Sequence, residues 1–258
     1  MRYYYELSQQ TIHHVSPSIL MLDNELKQDH EVNNHTKTIL DLGCGNGRNS
    51  LYLARKYGST NILLVDSDNS MLNWAQQLFY HERLPVWAIC TRIEELCAID
   101  SSKSNEMMGL PSFDIVIFSY IAQHIDPVYY PLIFDFCKHV SKKYLAIDVF
   151  WNPSRLGPGE FTRIGSVNWY GLTYDELVNL LASRFQIINE KVRQTDISFM
   201  INMLLTEGET TLKDITNQNY EYGTNRIRHR SSSNIKGLTT KHKTKSIDIK
   251  ELESTRLL

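Results

Sequence analysis

The chain has 258 residues, 42% of them hydrophobic and 22% charged, and a formal net charge of −2. That length suits one α/β domain with extra segments or at most two small domains, with enough apolar residues for a sizeable core. The balanced charge excludes a bulk pull toward nucleic acid or membrane, and no apolar run approaches the roughly 18 residues of a membrane helix.

Residues 1–36 are mixed in character and are expected to form an N-terminal extension or lid. "RYYYE" is aromatic, and "DNELKQDHEVNNHTK" is polar enough to read as a loop or frayed helix. From Thr38 to about Met203, strand-like runs alternate with helical patterns. "KTILDLG" is a strand, and "RNSLYLARKYG" a helix with Gly58 as its stop. "NILLVDSD" is continuously apolar, as a strand buried on both faces should be. "NSMLNWAQQLFYHERL" is a helix capped by Asn69 or Ser70, with Leu72, Ala75 and Phe79 at helical spacing. "PVWAIC" and "FDIVIFSY" are further strands, and "PLIFDFCKHV" a helix before the strand "KYLAIDVFW". "TYDELVNLLASRF" carries a capping box at Thr173 and Glu176. "QIINEKV" and "ISFMINMLL" are two strands too close together for a helical crossover, so they are expected to pair as a hairpin.

The pattern predicts an α/β fold with a seven-stranded, mostly parallel sheet, an antiparallel C-terminal hairpin and helices on both faces. Residues 37–207 form the expected domain. Residues 208–258 are polar and basic, with ten Lys and Arg from Glu209 onward against six Asp and Glu, and are expected to be a disordered tail. Cys44, Cys90, Cys97 and Cys137 lack the close pairing of a zinc site. With no secretory leader visible, they are expected as reduced thiols in a cytoplasmic protein, and no metal is expected.

The chemistry begins at the hinge after the first strand. "GCGNGR" places Gly43, Gly45 and Gly47 where a strand must turn into a helix. Glycine lets the backbone approach a ligand there, and the amides opening the helix favour electron-rich groups. The order is G-x-G-x-G, with Arg48 where a dinucleotide fold wants its third glycine, and no Walker lysine follows. Asp66 closes the second strand, 21 positions after Gly45. A carboxylate there can accept both hydroxyls of a ribose, so loop and acid together point to a nucleoside ligand.

"ILDLGCGNGR", "ILLVDSDNSML" and "FDIVIFSYIAQHI", in this order, resemble class I S-adenosylmethionine-dependent methyltransferases over about Lys37 to Leu205. The loop "DLGCGNGRNSLYLA" is similar to that of tellurite-resistance and related small-molecule methyltransferases. The resemblance implies a Rossmann-like fold and S-adenosyl-L-methionine as cofactor. Asp41, Gly43, Cys44, Gly45 and Asn46 would surround its methionine part, Asp66 would hold the ribose, and Ser67 would lie near adenine. Ser119 or Tyr120 would border the sulfonium and the substrate. The family's adenine-binding aspartate is replaced by Arg92, which cannot accept a hydrogen bond, so backbone atoms of Arg92 and Ile93, or Glu94, would serve instead.

His124, just past the fourth strand, is the candidate general base. Between the fifth strand and the next helix, Arg163, Trp169 and Tyr170 would shape the acceptor pocket, two rings forming a wall and Arg163 an anion contact. The leading expectation is methyl transfer to a small molecule, with no membrane and no nucleic-acid partner. The alternatives are a non-catalytic S-adenosylmethionine-binding partner or regulatory subunit, a protein methyltransferase, and, disfavoured by Arg48, a nicotinamide-dependent reductase.

Overall fold

The computed structural model describes residues 14–28, 37–58, 61–102, 110–151, 160–164, 167–171, 174–194 and 199–207. The aromatic start, Thr173 and the basic tail lie outside them.

The elements run α1 (Pro17–Gln28), β1 (Thr38–Leu42), α2 (Arg48–Tyr57), β2 (Asn61–Asp66), α3 (Asn69–His81), β3 (Trp87–Cys90) and α4 (Ile93–Ser102). There follow β4 (Phe113–Ser119), α5 (Tyr130–Val140), β5 (Ser141–Trp151), β6 (Phe161–Ile164), β7 (Val167–Tyr170), α6 (Tyr174–Ala182), β8 (Phe185–Gln194) and β9 (Phe199–Glu207). The main sheet has the order β3-β2-β1-β4-β5-β9-β8, while β6 and β7 form a separate two-stranded sheet. β1 to β5 pair in parallel, and β9 runs antiparallel to both β5 and β8. The seven strands and the closing hairpin are those expected.

Side-chain alternation builds the core on both faces. In β1, Leu40 and Leu42 join one cluster with α4, α5 and α6. Ile39 joins the other, with α1, α2 and α3. The period of two therefore assigns each strand residue to one layer of helices.

Three findings depart from the sequence expectations. The polar stretch after Ile19 continues as helix to Gln28, because Ile19, Leu22 and Leu26 repeat at helical spacing and are fully buried against the sheet. Each such side chain stabilises by about 1.5–3 kcal/mol, which outweighs the polar composition of the exposed side. Asp23 fastens this helix to α2. Burial pushes its carboxyl up, but hydrogen bonds from Lys56, Tyr57 and Lys27 bring it down to about 2. Second, α4 follows β3 directly and buries Ile93, Leu96 and Cys97 behind the acidic Glu94 and Glu95. Third, the segment expected as a loop contains the β6–β7 hairpin, in which Phe161 pairs with Tyr170 and Thr162 with Trp169.

One cap is also corrected. Asp68, not Asn69 or Ser70, caps α3, accepting from the amides of Ser70 and Met71. All three side chains can cap, and the one in extended backbone does so. Gly58 ends α2 as expected, at φ +63° with its N–H donated to the Ala54 carbonyl.

Candidate active site

The carboxyl ends of β1, β2 and β4 meet where the strand order reverses, with β1 between β2 and β4. An open parallel sheet places its ligand crevice there. The glycine loop leaves β1 and is hooked to the neighbouring strand, the amides of Gly43 and Cys44 donating to the Val65 carbonyl at 2.8 and 3.0 Å. Gly43 has φ +70°, and a Cβ there would lie 2.7 Å from Ile121 Cγ1. Gly47 lies against Ala75 and Phe79 of α3. These two positions serve packing. Gly45 differs. At φ +54°, the nearest atom to a Cβ would be Met71 Cε at 3.6 Å, so the bare backbone faces room.

Asp66 stands beside that room. Its Oδ2 accepts from the Gly45 amide at 2.8 Å and its Oδ1 from the Asp68 amide at 2.9 Å. Burial raises its pKa, and these amides oppose the rise. Each carboxylate oxygen keeps a second lone-pair direction, which suits a pair of vicinal hydroxyls. Asn46 is buried and caps the loop from the other side, Oδ1 accepting from the Arg48 amide at 3.2 Å. Burial pushes the Cys44 thiol well above its ordinary range, so it stays protonated. Asp41 does not contact loop amides. Its buried carboxyl accepts from Ser50 Oγ at 2.6 Å, joining β1 to α2, and burial raises its pKa to about 7.

Thr91 donates its amide to the Asp66 carbonyl at 3.0 Å, which brings the end of β3 beside the loop. Arg92 is exposed and ion-paired with Glu94, while its carbonyl accepts from the Leu96 amide at the start of α4. Ile93 is buried in the core, and Ser67 is exposed, with its carbonyl 3.8 Å from Cys90 Sγ.

The β4 side is held differently. Ser119 Oγ donates to Asp148 Oδ2 at 2.8 Å. Asp148 also accepts from the amide and hydroxyl of Ser18, at 2.9 and 2.5 Å, so α1 is docked onto the end of β5. Tyr120 adopts φ +57°, a costly conformation for a bulky side chain. Two contacts hold it there: its amide donates to the Asp148 carbonyl at 2.7 Å, and its own carbonyl accepts from Gln123 Nε2 at 2.8 Å.

His124 ends the short 3-10 turn Ala122–His124. Its Nδ1 lies 2.9 Å from the Asn168 carbonyl, and its ring meets Trp169 edge-to-face at 4.6 Å between centroids. A carbonyl only accepts, so Nδ1 carries the proton and Nε2 is the acceptor nitrogen. Burial lowers the pKa, partly offset by the Asn168 contact, which keeps the imidazole neutral near pH 7. Alternation splits the expected acceptor residues. Thr162 and Trp169 share one face of the β6–β7 hairpin, and Arg163 and Tyr170 share the other. Arg163 is exposed, and Tyr170 packs its ring on Phe161 at 5.0 Å.

A family model described as a methyltransferase domain matches residues 39–143, from β1 into β5. Residues 39–143 therefore match a methyltransferase domain, and the fold around them is the Rossmann-like one of S-adenosylmethionine-dependent methyltransferases. Solved structures share the domain's fold. TehB from Haemophilus influenzae is 15% identical with a TM-score of 0.54, over 75% of this chain and 63% of that one, so this chain spans less than two thirds of TehB. A 1,6-didemethyltoxoflavin-N1-methyltransferase from Burkholderia thailandensis is 19% identical with a TM-score of 0.54, over 75% and 77% of the two chains. Magnesium protoporphyrin IX methyltransferase from Synechocystis PCC 6803, solved with S-adenosylmethionine, is 14% identical with a TM-score of 0.52, over 74% and 78%. No curated protein sequence matches this chain significantly. Among the described residues, no helix of the methyltransferase domain or of α1 is long and apolar enough to cross a membrane, and no cluster is fit to hold a metal ion.

Residue-by-residue reading of the sequence missed Gln123 and the anchoring of α1 through Ser18. Neither carries a local signal, since both depend on contacts with distant segments.

Proposed function

We propose that the protein methylates a small-molecule acceptor, with His124 taking the acceptor's proton. S-adenosylmethionine supplies an electrophilic methyl group on a sulfonium. The residues present fit it: Gly45 leaves a cradle that a side chain would enter, and Asp66 presents two oxygens for the ribose. Asp41, Gly43, Cys44 and Asn46 shape the methionine end. Ser67 and the backbone at Arg92 and Ile93 border adenine, and Ser119 and Tyr120 border the reacting centre. Arg163 and Tyr170 form the outer face of the hairpin over the acceptor.

The observation that carries the proposal is the His124 contact with Asn168. It fixes the ring and its tautomer, with the proton on Nδ1 and the lone pair on Nε2, where the acceptor's hydrogen would replace the 3.4 Å approach of Gln123 Nε2, while burial keeps the ring neutral. Such a base is worth about 10²–10⁴ in rate. A small acceptor is favoured because the hairpin packs against this turn through Trp169, and because two structural neighbours are named for small substrates. We place the protein in the cytoplasm, with residues 1–36 an extension that lids the site and 208–258 a solvated tail.

Calorimetric titration with S-adenosylmethionine and, separately, NADH tests the cofactor. Micromolar binding of the methyl donor, lost in Asp66→Ala, is the expected result. NADH binding, or no donor binding by folded protein, would overturn the reading. Once an acceptor is found, His124→Ala should lower kcat with donor affinity kept, and full turnover across neutral pH would remove the base.

A further inference from the structure

The ladder between β1 and β4 pairs Ile39 with Ile115, Leu40 with Val116 and Asp41 with Ile117, and ends there. Beyond it the two chains part, one into the glycine loop and α2, the other into the turn at Tyr120. That parting opens the crevice, and it leaves the two halves to be held in register by other means.

The first turn of α1 spans the gap. The Ser16 amide donates to Asn49 Oδ1 at 3.1 Å, on the glycine-loop half. Two residues on, the Ser18 amide donates to Asp148 Oδ1 at 2.9 Å and its hydroxyl to Oδ2 at 2.5 Å, on the β4 half. Ser16, Ser18, Asn49 and Asp148 are all buried. The Ser16 carbonyl accepts from the Ile19 and Leu20 amides, so the turn is continuous with a helix seated in the core.

Each anchor is tied onward to the site. Asn49 lies in the first turn of α2, where Ser50 Oγ donates to Asp41 Oδ2 at 2.6 Å and the Leu51 amide to the Gly47 carbonyl at 2.9 Å. Asp148 accepts from Ser119 Oγ at 2.8 Å through its side chain and from the Tyr120 amide at 2.7 Å through its carbonyl. The latter bond holds a residue at the costly φ of +57°. A helix from the start of the chain is thereby bonded to both halves at once.

We infer that the Ser16–Ser18 turn is a clasp that keeps the two halves of the crevice in register, with Asn49 and Asp148 as its positioning residues. Asn49 acts on the donor through the start of α2, and Asp148 acts on the reacting centre through Ser119 and Tyr120. The inference rests on the proposed donor and acceptor sites. Its thermodynamic content is linkage: a donor that favours the ordered crevice tightens the clasp, and the clasp tightens the donor by the same factor. The far end of α1 supplies an internal control. There, more than a turn further along the helix, Tyr57, Lys56 and Lys27 hold Asp23.

The test is hydrogen exchange read residue by residue in the full-length protein, with S-adenosylhomocysteine as the ligand probe. Asn49→Ala leaves the buried Ser16 amide without its acceptor, which should shift a local opening equilibrium by about tenfold. It is expected to speed exchange of the Tyr120 amide, across the crevice, by about that factor and to weaken S-adenosylhomocysteine binding by about fivefold or more. Asn49→Asp keeps an oxygen at this helix start and is expected to restore both. Tyr57→Phe should loosen the Asp23 end of α1 and leave the Tyr120 amide and the affinity unchanged. Ser18→Ala spares both amide bonds, so it weakens the clasp without opening it. Tyr120 exchange that ignores Asn49→Ala, or that rises equally in Tyr57→Phe, would overturn the inference. The Tyr120 readout needs no ligand, so the two readings separate. If S-adenosylhomocysteine fails to bind and Asn49→Ala still frees Tyr120, the donor reading falls and the clasp stands. If it binds while Tyr120 ignores Asn49→Ala, the clasp falls and the donor reading stands.

Discussion

The two sides of the site are built by different means. On the β1–β2 side, backbone groups do most of the holding: Gly43 and Cys44 amides on the Val65 carbonyl, and Gly45 and Asp68 amides on Asp66. On the β4–β7 side, side chains bridge remote segments. Ser18 reaches Asp148 across 130 positions, and His124 reaches Asn168 across 44. The first side is bound to its sequence by backbone geometry, whereas the second is free to vary wherever a new pair of side chains can replace the old.

Substitutions can break this contrast. The largest effect is expected from Gly43→Ala, which combines a positive φ with a 2.7 Å clash on Ile121. It should destabilise by about 3 kcal/mol and abolish donor binding, readable as a melting-temperature fall of about 6–12 °C. Adding Ile121→Ala should relieve the clash and recover part of the loss. No recovery would mean that the backbone conformation alone sets the cost.

Ser18→Ala should cost about 1–2 kcal/mol, because it removes a hydroxyl donor from a fully buried carboxyl, Asp148. Denaturant melts measure it. If the second side adapts as freely as the contrast says, donor affinity should barely change.

Asp41→Asn should act through pH. The folded carboxyl titrates near 7 against an ordinary value of 3.8. Between those values the folded state binds the extra proton, so stability falls as pH rises from about 4 to 7 and stays low above. The amide cannot ionise and can still accept from Ser50. Thermal melts should show the variant gaining on the parent at pH 8 and matching it more closely at pH 5. A gain at pH 5 as large as that at pH 8 would contradict the assigned ionisation.

The smallest effect is expected at Arg163, exposed and on the hairpin face opposite to Trp169. Arg163→Ala should leave stability within about 0.5 kcal/mol. Its acceptor KM should change far less than that of Trp169→Phe, and a larger change would move the acceptor to the outer face.

The contrast also explains what was legible beforehand. The strands showed themselves because alternation and apolar runs are local, and the glycine loop because positive φ and close packing narrow the choice of residue. Asp66 was legible as the acidic end of an apolar strand, and the structure shows it accepting from the Gly45 and Asp68 amides. Helix α4 escaped because Ile93, Leu96 and Cys97 are a short apolar set beside two glutamates. The β6–β7 hairpin escaped because its contacts, not its pattern, make it ordered against the turn. His124 could be picked out by position, but its tautomer depends on Asn168, which no local pattern links to it.

Helix α1 carries a last consequence, for the order of folding. Its Ile19, Leu22 and Leu26 pack on the sheet in the same cluster as Ala146 of β5 and Leu204 of β9. During synthesis this helix emerges ahead of the strands it packs on, and β5 follows only after four intervening strands, with β9 later still. Its greasy stripe must wait through nearly the whole chain before it is covered, so long-range closure slows maturation and leaves an early segment for chaperones to hold.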